Sequence, residues 1–159
     1  IRLSLVGSEM CIRDRPGGMT VTGLDVSELW RETLHVVLPA SHPLALEQTV
    51  DLQSLNGDPL LISEGDLGAD VLAQTRLPAS VRLKTVSAGL PIVLAQVELG
   101  LGLALITAGA LDHAGLPGSL VHRPLHAGEG LSVSFAAAWY HQNDNPALRR
   151  FVSSARALR

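Results

Sequence analysis

Apolar and polar positions across residues 87–106, SAGLPIVLAQVELGLGLALI, predict a helix that feeds a buried strand with almost no loop between them. Leu90, Val93, Leu94 and Val97 recur at helical spacing and form one apolar stripe. Ser87 is placed to cap this helix, and Pro91 falls in its first turn, where a missing N–H costs little. Gly100 can end the helix in a left-handed conformation. Leu103–Ile106 is the strand that follows, and Thr107–Leu111 reads as one further helical turn.

The same alternation of short strand and helix continues on both sides. Leu34–Leu38 is a short apolar strand that Pro39 ends, preceded by the acid-rich segment LDVSELWRE at 24–32. Ser41-His42-Pro43-Leu44-Ala45 reads as a tight turn, because the residue before proline avoids the helical region. Asp51 can cap a one-turn helix with Leu52 and Leu55 facing inward, and Leu60–Ile62 is another buried strand. Asp66 can cap a helix whose inner face holds Leu67, Val71, Leu72 and Thr75. Residues 81–86 alternate as a half-exposed strand, and Leu120–Leu125 is a strand. His126–Gly130 links it to the clear alternation of residues 131–139. Asn145-Pro146 opens a closing helix with Leu148, Phe151, Val152, Ala155 and Leu158 on one side and Arg149, Arg150 and Arg156 on the other, read as a solvated face.

Composition narrows the function classes. With 159 residues, 47% of them apolar and 17% charged, the chain can bury a core of ordinary domain size. A net charge of -3 is unlike a domain that grips DNA by itself, and 3% aromatic residues leave little to stack bases on. No apolar run approaches the roughly 20 residues of a membrane span. Cys11 is the single cysteine, which excludes an internal disulfide framework and fits a reducing compartment. None of the six histidines has metal-ligand spacing with cysteine or acidic partners. No serine sits in a Gly-x-Ser-x-Gly elbow, and no carboxylate pair is placed for acid–base work. The expectation is therefore a binding module with no catalytic residues, no metal and no cofactor. Gly100 and Gly102 follow a helix and precede a strand, the reverse of a phosphate-binding fingerprint.

The ordered set LHVVLPASHPLA (34–45), VDLQSLNGDPLLI (50–62), VELGLGLALIT (97–107), LVHRPL (120–125), LSVSFAAAWY (131–140) and NPALRRFVSSARAL (145–158) resembles the effector-binding domain of LysR-type transcriptional regulators. Thr107 stands where that family usually has proline. The resemblance implies an α/β fold of the periplasmic-binding-protein-like, two-lobe kind, with one lobe complete and the other partial. It places the second lobe at about 34–119 and the returning part of the first lobe at about 120–159. It further implies sensing of a small-molecule effector, commonly an organic anion or aromatic metabolite, in a cytoplasmic, non-membrane setting. Assembly as a dimer or tetramer is implied for the full-length protein. Promoter DNA would be contacted only through an N-terminal helix-turn-helix that these residues do not include. The helix at 88–99 and the strand at 34–38 are candidate pairing edges. A solute-binding protein of a transport system shares the fold and is the alternative. The string SLVGSEMCIRDR resembles translated adapter sequence, so residues 1–17 are expected to be a non-native leader, with domain sequence from residue 18; the other reading is a genuine strand at 3–6.

In open α/β sheets ligands gather at the C-terminal ends of strands, where helix N-termini offer free N–H groups. Ser63 follows one predicted strand and Thr107 another, and both hydroxyls can donate to a ligand carboxylate or simply cap the next helix. The candidate effector-binding residues are Ser63, Glu64, Thr107 and Ala108, the last through backbone or surface contact. Glu64 and Asp66 oppose an anionic effector and favour a neutral or cationic one, unless they turn away. His42 reads as part of a structural turn.

Overall fold

The computed structural model describes residues 4–5, 11–12, 23–63, 79–126 and 131–157. Nine strands and three helices are defined among them. The strands are β1 (Ser4–Leu5), β2 (Cys11–Ile12), β3 (Leu24–Pro39), β4 (Val50–Asp51), β5 (Leu60–Ser63), β6 (Leu83–Val86), β7 (Leu103–Thr107), β8 (Leu120–His126) and β9 (Ser132–Tyr140). The helices are α1 (Leu90–Glu98), α2 (Ala108–Ala114) and α3 (Pro146–Ala157). The expected α/β class holds.

The chain divides into two compact units, one of Ile1–Arg31 with Val133–Arg159 and one of Glu32–Ser132. In the second unit β5, β6 and β7 run parallel, with β5 between the other two. β3 lies antiparallel to both β7 and β8, and β4 pairs parallel with β8. Val37, Leu61, Val93, Val97, Ala104 and Ile106 form the centre of its core, with Leu111 of α2 packed among them. Each such Leu or Ile contributes about 1.5–3 kcal/mol through its burial. β8 lies in this unit, where it pairs with the second half of β3 from His35 to Pro39.

In the first unit the opening half of β3 and β9 are neighbours, with β2 on the far side of β9 and β1 beyond it. Cys11 and Ile12 are in register with Ala138 and Ala137. Leu29, Ala137, Leu148 and Val152 make a separate small core under α3. Asn145 caps α3 by accepting from Ala147 N at 2.9 Å. Trp30 and Phe135 stack with centroids 4.9 Å apart.

Four sequence expectations change. The acid-rich segment 24–32 and the strand 34–38 are one 16-residue strand. Its buried positions are Ser27 and Leu29 in the first half, then Leu34, Val36, Val37 and Leu38, so the second half is buried on both faces. The run 34–38 is not a pairing edge, because His35, Val36 and Val37 are paired on both sides. The N-cap of α1 is Gly89, not Ser87, and no side chain caps it. Arg156 is not simply solvated, since Nε and Nη2 donate to the buried Ser27 Oγ at 3.0 and 2.6 Å. The helix expected at 67–75, the link at 127–130, Glu64 and Asp66 lie outside the described residues.

Other local readings hold as expected. Pro91 lies in the first turn of α1, and Gly100 has φ +71° just after it. Asp51 accepts from Gln53 N at 2.8 Å and opens a single turn, while His42 opens another by accepting from Leu44 N at 3.2 Å. Its Nε2 lies 3.2 Å from Asp58, which ties the turn to the loop before β5.

Candidate functional site

β5 and β7 are neighbouring parallel strands with Leu60 opposite Leu103 and Leu61 opposite Ala104. Carried forward, this register sets Ser63 level with Ile106, one residue before Thr107. Both candidate hydroxyls therefore stand at the same, C-terminal edge of the sheet, the edge where α/β folds place ligands.

Their protons are in different positions. Ser63 Oγ donates to the Ala88 carbonyl at 2.7 Å, which fastens the end of β5 to the turn before α1. That proton is committed, so Ser63 is left with acceptor capacity only. Thr107 is 4% exposed and caps α2, its Oγ1 accepting from Ala110 N at 3.4 Å. An accepting hydroxyl keeps its own proton, so Thr107 retains a donor.

Glu32 was not among the sequence candidates, and it sits at the same corner. Its Oε2 accepts from Gly109 N at 3.1 Å, in the first turn of α2. A Cβ on Gly109 would lie 2.7 Å from Oε1 and 2.9 Å from Oε2, so a side chain there would require the Glu32 carboxylate to shift. A carboxylate at a helix N-terminus is favourable because it meets unpaired N–H groups and the positive end of the helix dipole. The chain's own anion thus takes an N–H that the sequence reading reserved for a ligand. No spacing rule links Glu32 to Gly109, 77 residues away; only the pairing of β3 with β7 brings them together.

Ala108 lines a cavity of about 280 Å³ together with His35, Leu111, Asp112, Leu116 and His122. Ser63 and Thr107 are not among its walls. His35 and His122 approach to 3.1 Å between their Nδ1 atoms. Burial, and after it the charge of His122, lower the His35 pKa below its ordinary 6.5. The other titratable group on the cavity wall is Asp112.

That shift gives a pH dependence. Folding favours the neutral His35 ring, so its contribution is complete above pH 6.5. As the pH falls through that value the unfolded chain takes the proton first, and stability is lost down to the folded-state pKa. The thermal midpoint is expected to fall between about pH 7 and pH 5. His35→Asn should flatten part of that slope. Identical slopes in both proteins would count against this assignment.

Among the described residues no group of three or more His, Cys, Asp or Glu side chains is arranged to hold a metal ion. No helix among them is long and apolar enough to cross a membrane.

Comparisons with known proteins show one family and a shared fold. The family described as LysR substrate binding domain matches residues 7–159, starting inside the segment read as a leader. The Hca operon transcriptional activator HcaR of Escherichia coli K12 is 33% identical over 140 residues, which cover 82% of this chain and 45% of HcaR. The chain therefore spans less than half the length of that curated relative. Among solved structures, the reduced OxyR regulatory domain of Pseudomonas aeruginosa superposes with a TM-score of 0.71 at 23% identity, over 91% of this chain and 70% of that one. The BenM effector-binding domain with its effector benzoate gives a TM-score of 0.71 at 17% identity, over 90% of this chain and 66% of that one.

Proposed function

Because this chain belongs to the LysR substrate-binding-domain family, we propose that it is the effector-sensing part of a LysR-type regulator of transcription. The α/β fold is of the periplasmic-binding-protein-like class that the structural neighbours share. The observation that carries the functional reading is the match of a substrate-binding family to residues 7–159, next to a relative that is a transcriptional activator. It favours a regulator over a solute-binding protein of a transport system, which the fold alone does not separate. We read the chain as a binding domain and not as an enzyme. In the whole protein, a helix-turn-helix would contact promoter DNA, and homo-oligomers would carry the response.

The effector in this reading is a small organic anion or aromatic metabolite held at the ends of β5 and β7. Thr107 donates its remaining proton to a ligand oxygen, and Ser63 accepts from a ligand donor. Glu64 and Ala108 complete the set. Glu32 adds a requirement, since a carboxylate entering this corner meets a fixed negative charge, whereas an amide or ammonium group meets an acceptor.

Three probes of one shape separate these cases: benzoate, benzamide and benzylamine. A ligand that binds only the folded chain raises its thermal midpoint with concentration. At least one probe is expected to do so, and Thr107→Val should remove the rise. That substitution also removes the cap of α2, at a cost of about 1 kcal/mol, so the variant is first shown to be folded. A rise from benzylamine or benzamide alone would replace the organic-anion class by a neutral or cationic one. No rise from any probe at millimolar concentration, in a chain shown to be folded, would overturn the proposed ligand class.

A further inference from the structure

The cavity beside α2 holds a pair of imidazoles that the effector reading leaves unused. His35 of β3 is in register with Pro124 of β8, and Val37 with His122. Residues two apart on a strand share a face, so the two rings stand as diagonal neighbours on one side of the sheet. Their Nδ1 atoms lie 3.1 Å apart and the ring planes are inclined by 48°. Two zinc–nitrogen bonds of about 2.0–2.1 Å at the tetrahedral angle span a nitrogen separation of about 3.3 Å. The observed spacing is close to that of two imidazoles sharing one ion.

A shared proton is the other way to hold two such nitrogens together. It satisfies one as donor and the other as acceptor, and it fixes one ring in its Nδ1–H tautomer. A metal ion instead uses both lone pairs. The cavity of about 280 Å³ in front of the pair has room for an ion with water ligands, and Asp112 on its wall can accept hydrogen bonds from those waters.

We propose that His35 and His122 form a two-imidazole site for a divalent transition-metal ion of the zinc, nickel or copper class. Such ions favour imidazole, whereas magnesium and calcium favour oxygen. With two protein ligands the site carries no folding role. Neither ring belongs to the candidate effector set at the ends of β5 and β7, and of that set Ala108 borders this cavity.

Calorimetric titration of the tag-free 159-residue chain with zinc chloride at about pH 7.5 tests this, alongside His35→Asn, His122→Asn and His126→Asn. Each variant is first checked in EDTA for the wild-type thermal midpoint. His122 and His126 are exposed, so both of those variants are expected to fold. One micromolar site is expected in the wild type and in His126→Asn. Each of the other two variants should weaken it by at least about tenfold. The wild-type affinity should weaken as the pH is lowered, because the metal binds only neutral imidazole. Magnesium should give no heat. Zinc binding that survives either His35→Asn or His122→Asn overturns the proposal. So does the absence of binding below millimolar zinc, which would leave the pair sharing only a proton.

Discussion

Gly102→Ala is expected to destabilise the Glu32–Ser132 unit by about 2–6 kcal/mol. Two costs combine at this position. Gly102 has φ +152°, a conformation that side-chain-bearing residues rarely adopt. A Cβ built there would also collide with the Pro59 carbonyl oxygen and lie 3.0 Å from the Leu61 side chain. The Pro59 carbonyl cannot withdraw freely, because it accepts from Leu103 N at 2.9 Å at the start of β7. The clash therefore falls on the connection that sets β7 beside β5 and carries Thr107 to its edge. Gly100 is the control. It has φ +71° but open space around a built Cβ, so Gly100→Ala should cost only the backbone conformation, about 1–2 kcal/mol. Denaturant unfolding of both variants reads the difference. Equal losses would show that φ alone matters and that the predicted collision is relieved by small movements.

Leu61→Ala is expected to cost about 2–5 kcal/mol. Leu61 is fully buried on β5, between β6 and β7, in the core that includes Val37, Val93, Val97 and Ala104. Strands on both sides and α1 above restrict how far the site can collapse, which places the loss toward the upper part of that range. Exposed Leu46, 90% accessible, is the matched comparison, and Leu46→Ala should change stability by less than about 0.5 kcal/mol. Because Leu61 also touches the position of a Gly102 Cβ, the two substitutions should couple. The double variant is expected to lose less than the sum, since the smaller side chain makes room for part of the added methyl group. Strict additivity would show that the carbonyl of Pro59, and not Leu61, sets the whole cost at Gly102.

Much of the architecture was legible in the order of residues because its causes are local. The stripe of Val93, Leu94 and Val97, proline in the first turn and glycine at the end specify α1 without reference to anything distant. The caps at Asp51, Thr107 and Asn145 are equally short-range, each using an oxygen two or three residues before the N–H it meets. β3 was legible only in its second half. Its first half carries Asp25 and Glu28 and buries only Ser27 and Leu29, whereas its second half is buried on both faces at Leu34, Val36, Val37 and Leu38, so no single period of two runs through it. A strand that serves two units cannot display the alternation of one.

Sequence alone determined the α/β class, the family resemblance and the two strand ends where Ser63 and Thr107 stand. Hydrophobic periodicity and capping depend on neighbours within about one turn, and those are written consecutively in the chain. Tertiary structure alone decided what those ends offer a ligand. It gave the Ser63 proton to Ala88, set the Glu32 carboxylate against Gly109, drew Arg156 to Ser27 and brought His35 to His122. Each of these pairs is separated by at least 25 residues, and each is made by strand register or helix packing. Hydrogen bonds and charge contacts act over a few ångströms of space, whatever the distance along the chain, so their partners are fixed only once the sheet has formed.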